Sequence, residues 1–305
     1  MKNSAVIINA ARKAALVMAV PVLALGLAGC DVWAAKSKDT VDDALLRAEM
    51  VEQRLIQAET RIHTVGVAKK EAESIDVSEA ETSLVNASRK AFDPNAMQEK
   101  IRSALEEQNG TYEDAAAFEH AAAALAEGHR TVDKMYADKD EATGKKLQER
   151  LASPETKATI DDIVGRMASP ALAAETSVTQ QAINVSLTME EKTLAPDHSP
   201  DVYKELKADL PNVLSELRKR SENEGAYSRD TARLGATTML TFSLATLSDA
   251  DLAAIQKFYA SSYGEAKTKA LVSAYAEVWS TSTVAMISAY IDELASAKSS
   301  AAKVQ

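Results

Sequence analysis

The stretch VDDALLRAEMVEQRLIQAETRIHTV, residues 41–65, has an apolar residue at the first and fourth place of every seven-residue repeat. Its charged residues all fall at the remaining positions. A repeat of this kind is typical of a helix that buries one face against another helix. The stretch therefore predicts one long, coiled-coil-like N-terminal helix. The residues of this apolar seam are Val41, Ala44, Ala48, Val51, Leu55, Ala58, Ile62 and Val65.

The partner of the seam is expected within the same chain. Half of the seam residues are small or short, which favours close packing against a neighbouring helix over a long two-stranded zipper. A homomeric coiled coil remains the alternative interpretation.

Composition extends the helical prediction to the rest of the chain. The 305 residues include only ten glycines and seven prolines, whereas Ala, Glu, Lys and Leu are abundant. These abundant residues lose little side-chain entropy in a helix. No segment alternates apolar and polar residues over the length of a strand. We therefore predict an all-α fold, a multi-helix bundle.

Helix starts are marked by short polar residues. Asp93 and Ser153 each precede a proline, which suits the first helical position because proline has no N–H that needs a partner there. Ser248 followed by Asp251 resembles a capping box.

The leader has the layout of an export signal. Lys2, Arg12 and Lys13 precede an apolar run over residues 14–27, and small residues follow. The run is shorter than the roughly 20 residues that a membrane-spanning helix needs. We predict a signal peptide over residues 1–29, cleaved before Cys30, the only cysteine of the chain.

The residues at this point resemble a known class. Leu27-Ala28-Gly29-Cys30 is similar to the lipobox of bacterial lipoproteins. The resemblance implies that Cys30 receives a diacylglycerol on its thiol and an acyl group on its new amino terminus. Two or three acyl chains anchor a protein far more firmly than one. Residues 30–40 would then be a lipidated tether.

Asp31 adds a prediction about location. An aspartate directly after the acylated cysteine resembles the signal that retains a lipoprotein in the inner membrane. We expect an envelope protein that faces the periplasm, with the inner membrane favoured and the outer membrane as the alternative.

The negative net charge of the chain limits the classes of partner that it is expected to bind. The formal net charge is −10, and the predicted leader removes three basic residues and no acid. An acidic body repels phosphate backbones, so nucleic acid is not an expected partner. We expect the lipid anchor to contact the membrane and another envelope protein to be the partner.

The C-terminal region carries a second resemblance. The run LSDADLAAIQKFYASSYGEA, residues 247–266, resembles the signature of the bacterial envelope family called domain of unknown function 2059. Phe258, Tyr259 and Gly264 match that signature, whereas Ser262 stands where proline is usual. The resemblance implies a helical C-terminal region, which we place at residues 196–305, after an N-terminal helical region at residues 41–195.

Five aromatic residues of this region admit two interpretations. Phe258, Tyr259, Tyr275, Trp279 and Tyr290 recur at helical spacing. They are either core residues or the lining of a docking surface or groove.

Patterns of catalysis and metal binding are missing from the sequence. The four histidines lack His-Glu-x-x-His spacing, and no glycine-rich phosphate loop occurs. We expect no catalytic residues, no metal, and no cofactor apart from the covalent diacylglycerol and N-acyl groups at Cys30. The predicted function is a non-catalytic helical interaction or scaffold module. The alternative is a carrier or chaperone-like binder of apolar ligands through the aromatic C-terminal helices.

Overall fold

The computed structural model describes residues 40–187, 200–220 and 227–301. Within these residues the chain forms thirteen α-helices and no strand, which confirms the all-α prediction. The helices are α1 Val41–Ala48, α2 Val51–Leu55, α3 Ala58–Glu73, α4 Ser78–Ala91, α5 Pro94–Glu106, α6 Ala115–Asp138, α7 Glu141–Leu151, α8 Pro154–Arg166, α9 Ser169–Leu187, α10 Pro200–Arg220, α11 Arg229–Leu244, α12 Asp249–Ala260 and α13 Ser262–Ala301.

The long N-terminal helix of the sequence prediction is divided into three. Met50 adopts a left-handed conformation with φ 53°, which separates α1 from α2, and a turn at Ile56 and Gln57 separates α2 from α3. The three helices pack mainly against different neighbours: α1 against α6, α2 against α5, and α3 against α4 and α9. One straight helix cannot follow these three directions, so the seam bends around the core.

The seam nevertheless faces inward along its length. All its residues after Val41 are buried, and Val41 itself is half-buried. The heptad pattern therefore identified the buried face correctly but not the continuity of the helix. In this structure the partners of that face belong to the same chain.

Polar caps begin several helices as the sequence predicts. Asp93 accepts hydrogen bonds from the first backbone N–H groups of α5, Ser153 does so for α8, and Ser248 for α12. At the start of the described chain, Thr40 and Asp43 form a reciprocal capping box on α1. Such caps satisfy N–H groups that have no partner within the helix.

Two long helices organise the interior. The 40-residue α13 contacts α4, α5, α9, α10 and α12 along its length. Helix α9 packs between α11 and α13 and is buried over most of its surface. One continuous apolar cluster contains residues from Ala44 to Ile291, so both predicted regions contribute to the same core. The predicted boundary at residues 195 and 196 lies outside the described residues.

The turn between α12 and α13 depends on a close backbone approach. A Cβ at position 264 would lie 2.1 Å from the carbonyl oxygen of Phe258, which is a backbone atom that cannot rotate away. Glycine is therefore required at position 264 because the Phe258 carbonyl leaves no room for a side chain, and not because the backbone has an unusual φ. The start of α13 is fixed directly after the Phe258-Tyr259 pair.

We predict that Gly264→Ala lowers the free energy of unfolding by about 1–3 kcal/mol, because the methyl group forces α13 away from α12. The matched control is Gly165→Ala in α8, where a Cβ meets nothing within 4 Å. That control gains up to about 1 kcal/mol from helix propensity. Urea unfolding measures both, and equal stability of the two variants would contradict the role given to Gly264.

Candidate functional site

The five aromatic residues singled out in the sequence all lie in the interior. Each is at most 2% exposed. The ring of Phe258 stacks on Phe118 with centroids 3.7 Å apart, and Trp279 meets Phe92 edge to face at 5.1 Å. This placement favours the core interpretation over the docking surface, since the rings contact one another and not solvent. The residues are Phe258, Tyr259, Tyr275, Trp279 and Tyr290.

The predicted lipid-attachment residue Cys30 and the predicted sorting residue Asp31 lie outside the described residues. Both assignments therefore stay predictions. Within the part of the chain that the structure describes, none of the helices is both long enough and apolar enough to cross a membrane.

A buried carboxylate joins three helices that are far apart in sequence. Glu49, directly after α1, is fully buried. Its Oε1 accepts hydrogen bonds from the backbone N–H of Ala168 at 2.9 Å and from the hydroxyl of Tyr259 at 2.7 Å, and its Oε2 accepts one from Ser169 Oγ at 2.6 Å. The Glu49 cluster, formed by these four residues, thus connects α1, the start of α9 and the end of α12.

The surroundings of Tyr259 in the Glu49 cluster keep its hydroxyl protonated. Burial, and then the negative charge and hydrogen bond of Glu49, raise the pKa of Tyr259 well above its ordinary value. The phenol consequently stays protonated and donates to the carboxylate. The N-terminal end of α9 also favours a negative charge. With three donors already bound, the carboxylate is suited to holding helices together and not to taking a proton from a substrate.

Sequence reasoning missed Glu49. In the heptad pattern it falls on the charged face, and a continuous helix would have pointed it at solvent. The left-handed Met50 ends α1 immediately after it and places it against α9 instead. No local signal distinguishes Glu49 from the exposed Glu52 three residues later.

A second buried acid ties together the C-terminal helices. Glu175 on α9 accepts a hydrogen bond from Arg218 Nη2 of α10 at 2.9 Å and another from Arg229 Nη2 of α11 at 2.9 Å. Glu175 is only 9% exposed. Because both arginines satisfy this carboxylate, it too serves as a structural ion pair.

A surface cleft of about 550 Å³ lies between the end of α8 and the first turns of α13. Arg166, Glu265 and Lys269 contribute charges of both signs to its lining, and Val272 contributes apolar surface. The cleft also touches Tyr259, but that hydroxyl is already bonded to Glu49. The lining therefore offers charged and apolar contacts for a ligand or peptide, and its tyrosine is not an activated nucleophile.

The three histidines that the structure describes, His63, His120 and His129, do not assemble a metal site among the described residues. His63 contacts Glu81 at 2.6 Å, whereas His120 lies 3.7 Å from Asp251. Among the described residues no three His, Cys, Asp or Glu side chains are grouped so that they can hold a metal ion. His129 is instead enclosed in the core, only 7% exposed.

Comparisons with known proteins give no relative for this chain. No protein-family model matches it, and neither a curated protein nor a solved structure does.

We predict that Glu49→Ala destabilises the protein by about 3 kcal/mol or more, because a buried backbone N–H and two hydroxyls lose their acceptor. Tyr259→Phe, which removes one charge-assisted bond, is expected to cost about 1.5–3 kcal/mol. In the double variant the two losses are not additive, since Tyr259 has no acceptor once Glu49 is gone. Chemical denaturation of the four proteins gives the coupling energy. The exposed Glu52→Ala is the control, and additive losses would contradict the arrangement.

We also predict a loss of stability in acid that depends on His129. Burial, and secondarily the charge of Arg54, lowers the pKa of His129 to about 4 from the ordinary 6.5. Between these values the unfolded chain binds a proton that the folded chain does not, so acid favours unfolding. The contribution is absent above pH 6.5 and reaches about 3 kcal/mol of destabilisation near pH 4.

The measurement is the free energy of unfolding of wild type and His129→Gln across this pH range. The difference between the two should change with pH in the direction given. A pH-independent difference for His129→Gln would refute the prediction.

Proposed function

We propose that this chain is a lipid-anchored protein of the bacterial envelope that acts as a non-catalytic helical interaction or scaffold module. The observation that carries the anchor is Leu27-Ala28-Gly29-Cys30 at the end of an export-type leader. Acylation of Cys30 explains why a chain of 305 residues has one cysteine and why it stands at that point.

A binding role is supported over catalysis by the state of the buried acids. Glu49 and Glu175 are the buried carboxylates of the described residues, and each is bonded to donors from other helices. A general acid or base needs access to a substrate proton. Neither Glu49 nor Glu175 lines the cleft of about 550 Å³, and the cavity that Glu175 lines measures only about 10 Å³.

The carrier alternative has less support. It relied on an aromatic groove, yet Tyr275, Trp279 and Tyr290 are buried in the core. The cavity next to Trp279, which Val178 and Leu214 also line, measures only about 10 Å³. An apolar ligand of ordinary size needs a site of roughly 300 Å³ or more.

The proposed location is the periplasmic face of a membrane. Asp31 favours retention in the inner membrane, and the outer membrane is the alternative. The acidic body makes an envelope protein a better partner than nucleic acid. The family resemblance at residues 247–266 is in keeping with an envelope protein and adds no catalytic residue.

We predict that the protein expressed in a Gram-negative host incorporates labelled palmitate and that Cys30→Ser abolishes the label. Incorporation that persists in Cys30→Ser, or wild-type protein without label, would disprove the anchor. The exposed Ser78→Cys serves as a matched control for the mere presence of a thiol when placed in the Cys30→Ser chain.

The interaction role is tested by capture from membranes. Wild-type protein and the unanchored Cys30→Ser chain, each crosslinked in the cell envelope, should differ in the envelope proteins that they retain. The scaffold proposal is wrong if the anchored protein retains no envelope protein. It is also wrong if the purified chain catalyses a reaction that requires Glu49.

A further inference from the structure

The surface cleft of about 550 Å³ lies between two helices that share a neighbour. Helices α8 and α13 each pack against α12, and the cleft is the space between the end of α8 and the first turns of α13. Small-molecule sites usually measure about 300–1,000 Å³. The cleft therefore has room for a small ligand without any change in the packing of the core.

One face of α13 supplies most of the lining. Its lining residues recur at spacings of three and four, which places their side chains on the same side of the helix. Glu265 and Lys269 are exposed, and neither side chain makes an ion pair or hydrogen bond within the described residues. Both charges are therefore available to a ligand in the cleft. The lining residues of α13 are Glu265, Thr268, Lys269, Val272 and Ser273.

An unused hydroxyl lies on the same face of α13. The Oγ1 atom of Thr268 is buried and has no hydrogen-bond partner within the described residues. Buried polar atoms are usually paired. A polar ligand in the cleft would thus lie beside a hydroxyl whose hydrogen bonds are not yet used.

Arg166 contributes a positive charge from the opposite wall, and that side chain is held in place. Its Nε donates to Asp162 Oδ1 at 2.9 Å, while Asp162 Oδ2 accepts a hydrogen bond from Gln256 Nε2 of α12 at 2.9 Å. The hydrogen bonds from Gln256 and Arg166 lower the pKa of Asp162, so this carboxylate stays charged at neutral pH. The two terminal nitrogens of Arg166 make no hydrogen bond within the described residues. Two such N–H groups match the oxygens of a carboxylate.

The lining thus presents charges of both signs to one opening. Arg166 and Lys269 suit a carboxylate, whereas Glu265 suits an ammonium group. Val272 adds apolar surface. A simple anion would face the negative charge of Glu265, and a simple cation would face two positive charges. A molecule that carries a carboxylate, an ammonium group and a short apolar part matches every one of these contacts.

We propose that the cleft binds a free amino acid with an apolar side chain, its carboxylate against Arg166 and Lys269 and its ammonium group against Glu265. Hydrogen bonds between charged groups are about twice as strong as those between neutral groups, so the two ends of the ligand provide most of the recognition. This binding activity is additional to the proposed scaffold role and does not require the lipid anchor.

The test is calorimetric titration of the full chain with L-leucine at neutral pH. L-Leucinamide, which lacks the carboxylate, and isocaproate, which lacks the ammonium group, are titrated separately at the same ionic strength. We expect saturable binding of L-leucine, with each analogue weaker by about tenfold or more, since each loses a charge-assisted contact. No saturable binding of L-leucine, or an analogue that binds equally well, would overturn the proposal.

Variants on α13 assign the charged contacts. Glu265→Gln and Lys269→Gln should each weaken L-leucine binding by about tenfold or more. Glu277→Gln is the matched control, because Glu277 is an exposed glutamate three turns later on α13 and does not line the cleft. It changes the net charge as Glu265→Gln does and should leave the affinity unchanged. Equal affinities of Glu265→Gln and Glu277→Gln would contradict the site.

Gly165→Leu separates the cleft from the fold. A Cβ at position 165 meets nothing within 4 Å, so a larger side chain should occupy the cleft without disturbing the core. This variant should lose L-leucine binding, while its urea midpoint stays at least as high as that of wild type, because glycine is a poor helix former. Wild-type affinity in Gly165→Leu would reject the site. If wild type does not bind L-leucine and Gly165→Leu loses a captured envelope protein, the cleft is a protein-docking site and the amino-acid proposal is wrong.

Discussion

The structure depends on one buried carboxylate. Glu49 lies where α1 ends, where α9 begins and where α12 closes, and it is bonded to a residue of each neighbouring helix. Removing a charge from water is costly unless donors replace the water, and here three donors do so. That requirement couples the N-terminal third of the chain to the C-terminal third. It also fixes the direction in which α9 enters the core. The rest of the bundle relies on the packing of α9 against α11 and α13.

The aromatic core and the turn before α13 are directly connected to the Glu49 cluster. Tyr259 donates to Glu49, its neighbour Phe258 stacks on Phe118, and Gly264 allows α13 to start against the Phe258 carbonyl. The run that resembles an envelope family signature is therefore explained here by packing. Phe258 and Tyr259 of this run are buried where α12 and α13 meet, and Tyr263 is half-buried.

Helical class, caps and the buried face of the N-terminal segment could be predicted from the sequence, because each follows from local spacing and propensity. The breaks at Met50 and Ile56 could not, since they accompany packing against four other helices, α4, α5, α6 and α9. For the same reason Glu49 resembled an ordinary surface acid. Arg54 and Arg61 also occupy charged positions of the heptad, yet both are half-buried in the structure. Sequence patterns indicate which face of a helix is buried, but long-range contacts decide which polar residues are buried beside that face.

The capping box at Thr40 sets a distance as well as a helix start. Thr40 follows Cys30 by ten residues in the sequence, and ten residues span at most about 35 Å when fully extended. For an acylated Cys30, the first turn of α1 can never lie farther than that from the lipid surface. The capping box would thus also mark the part of the fold that such an anchor holds close to the bilayer.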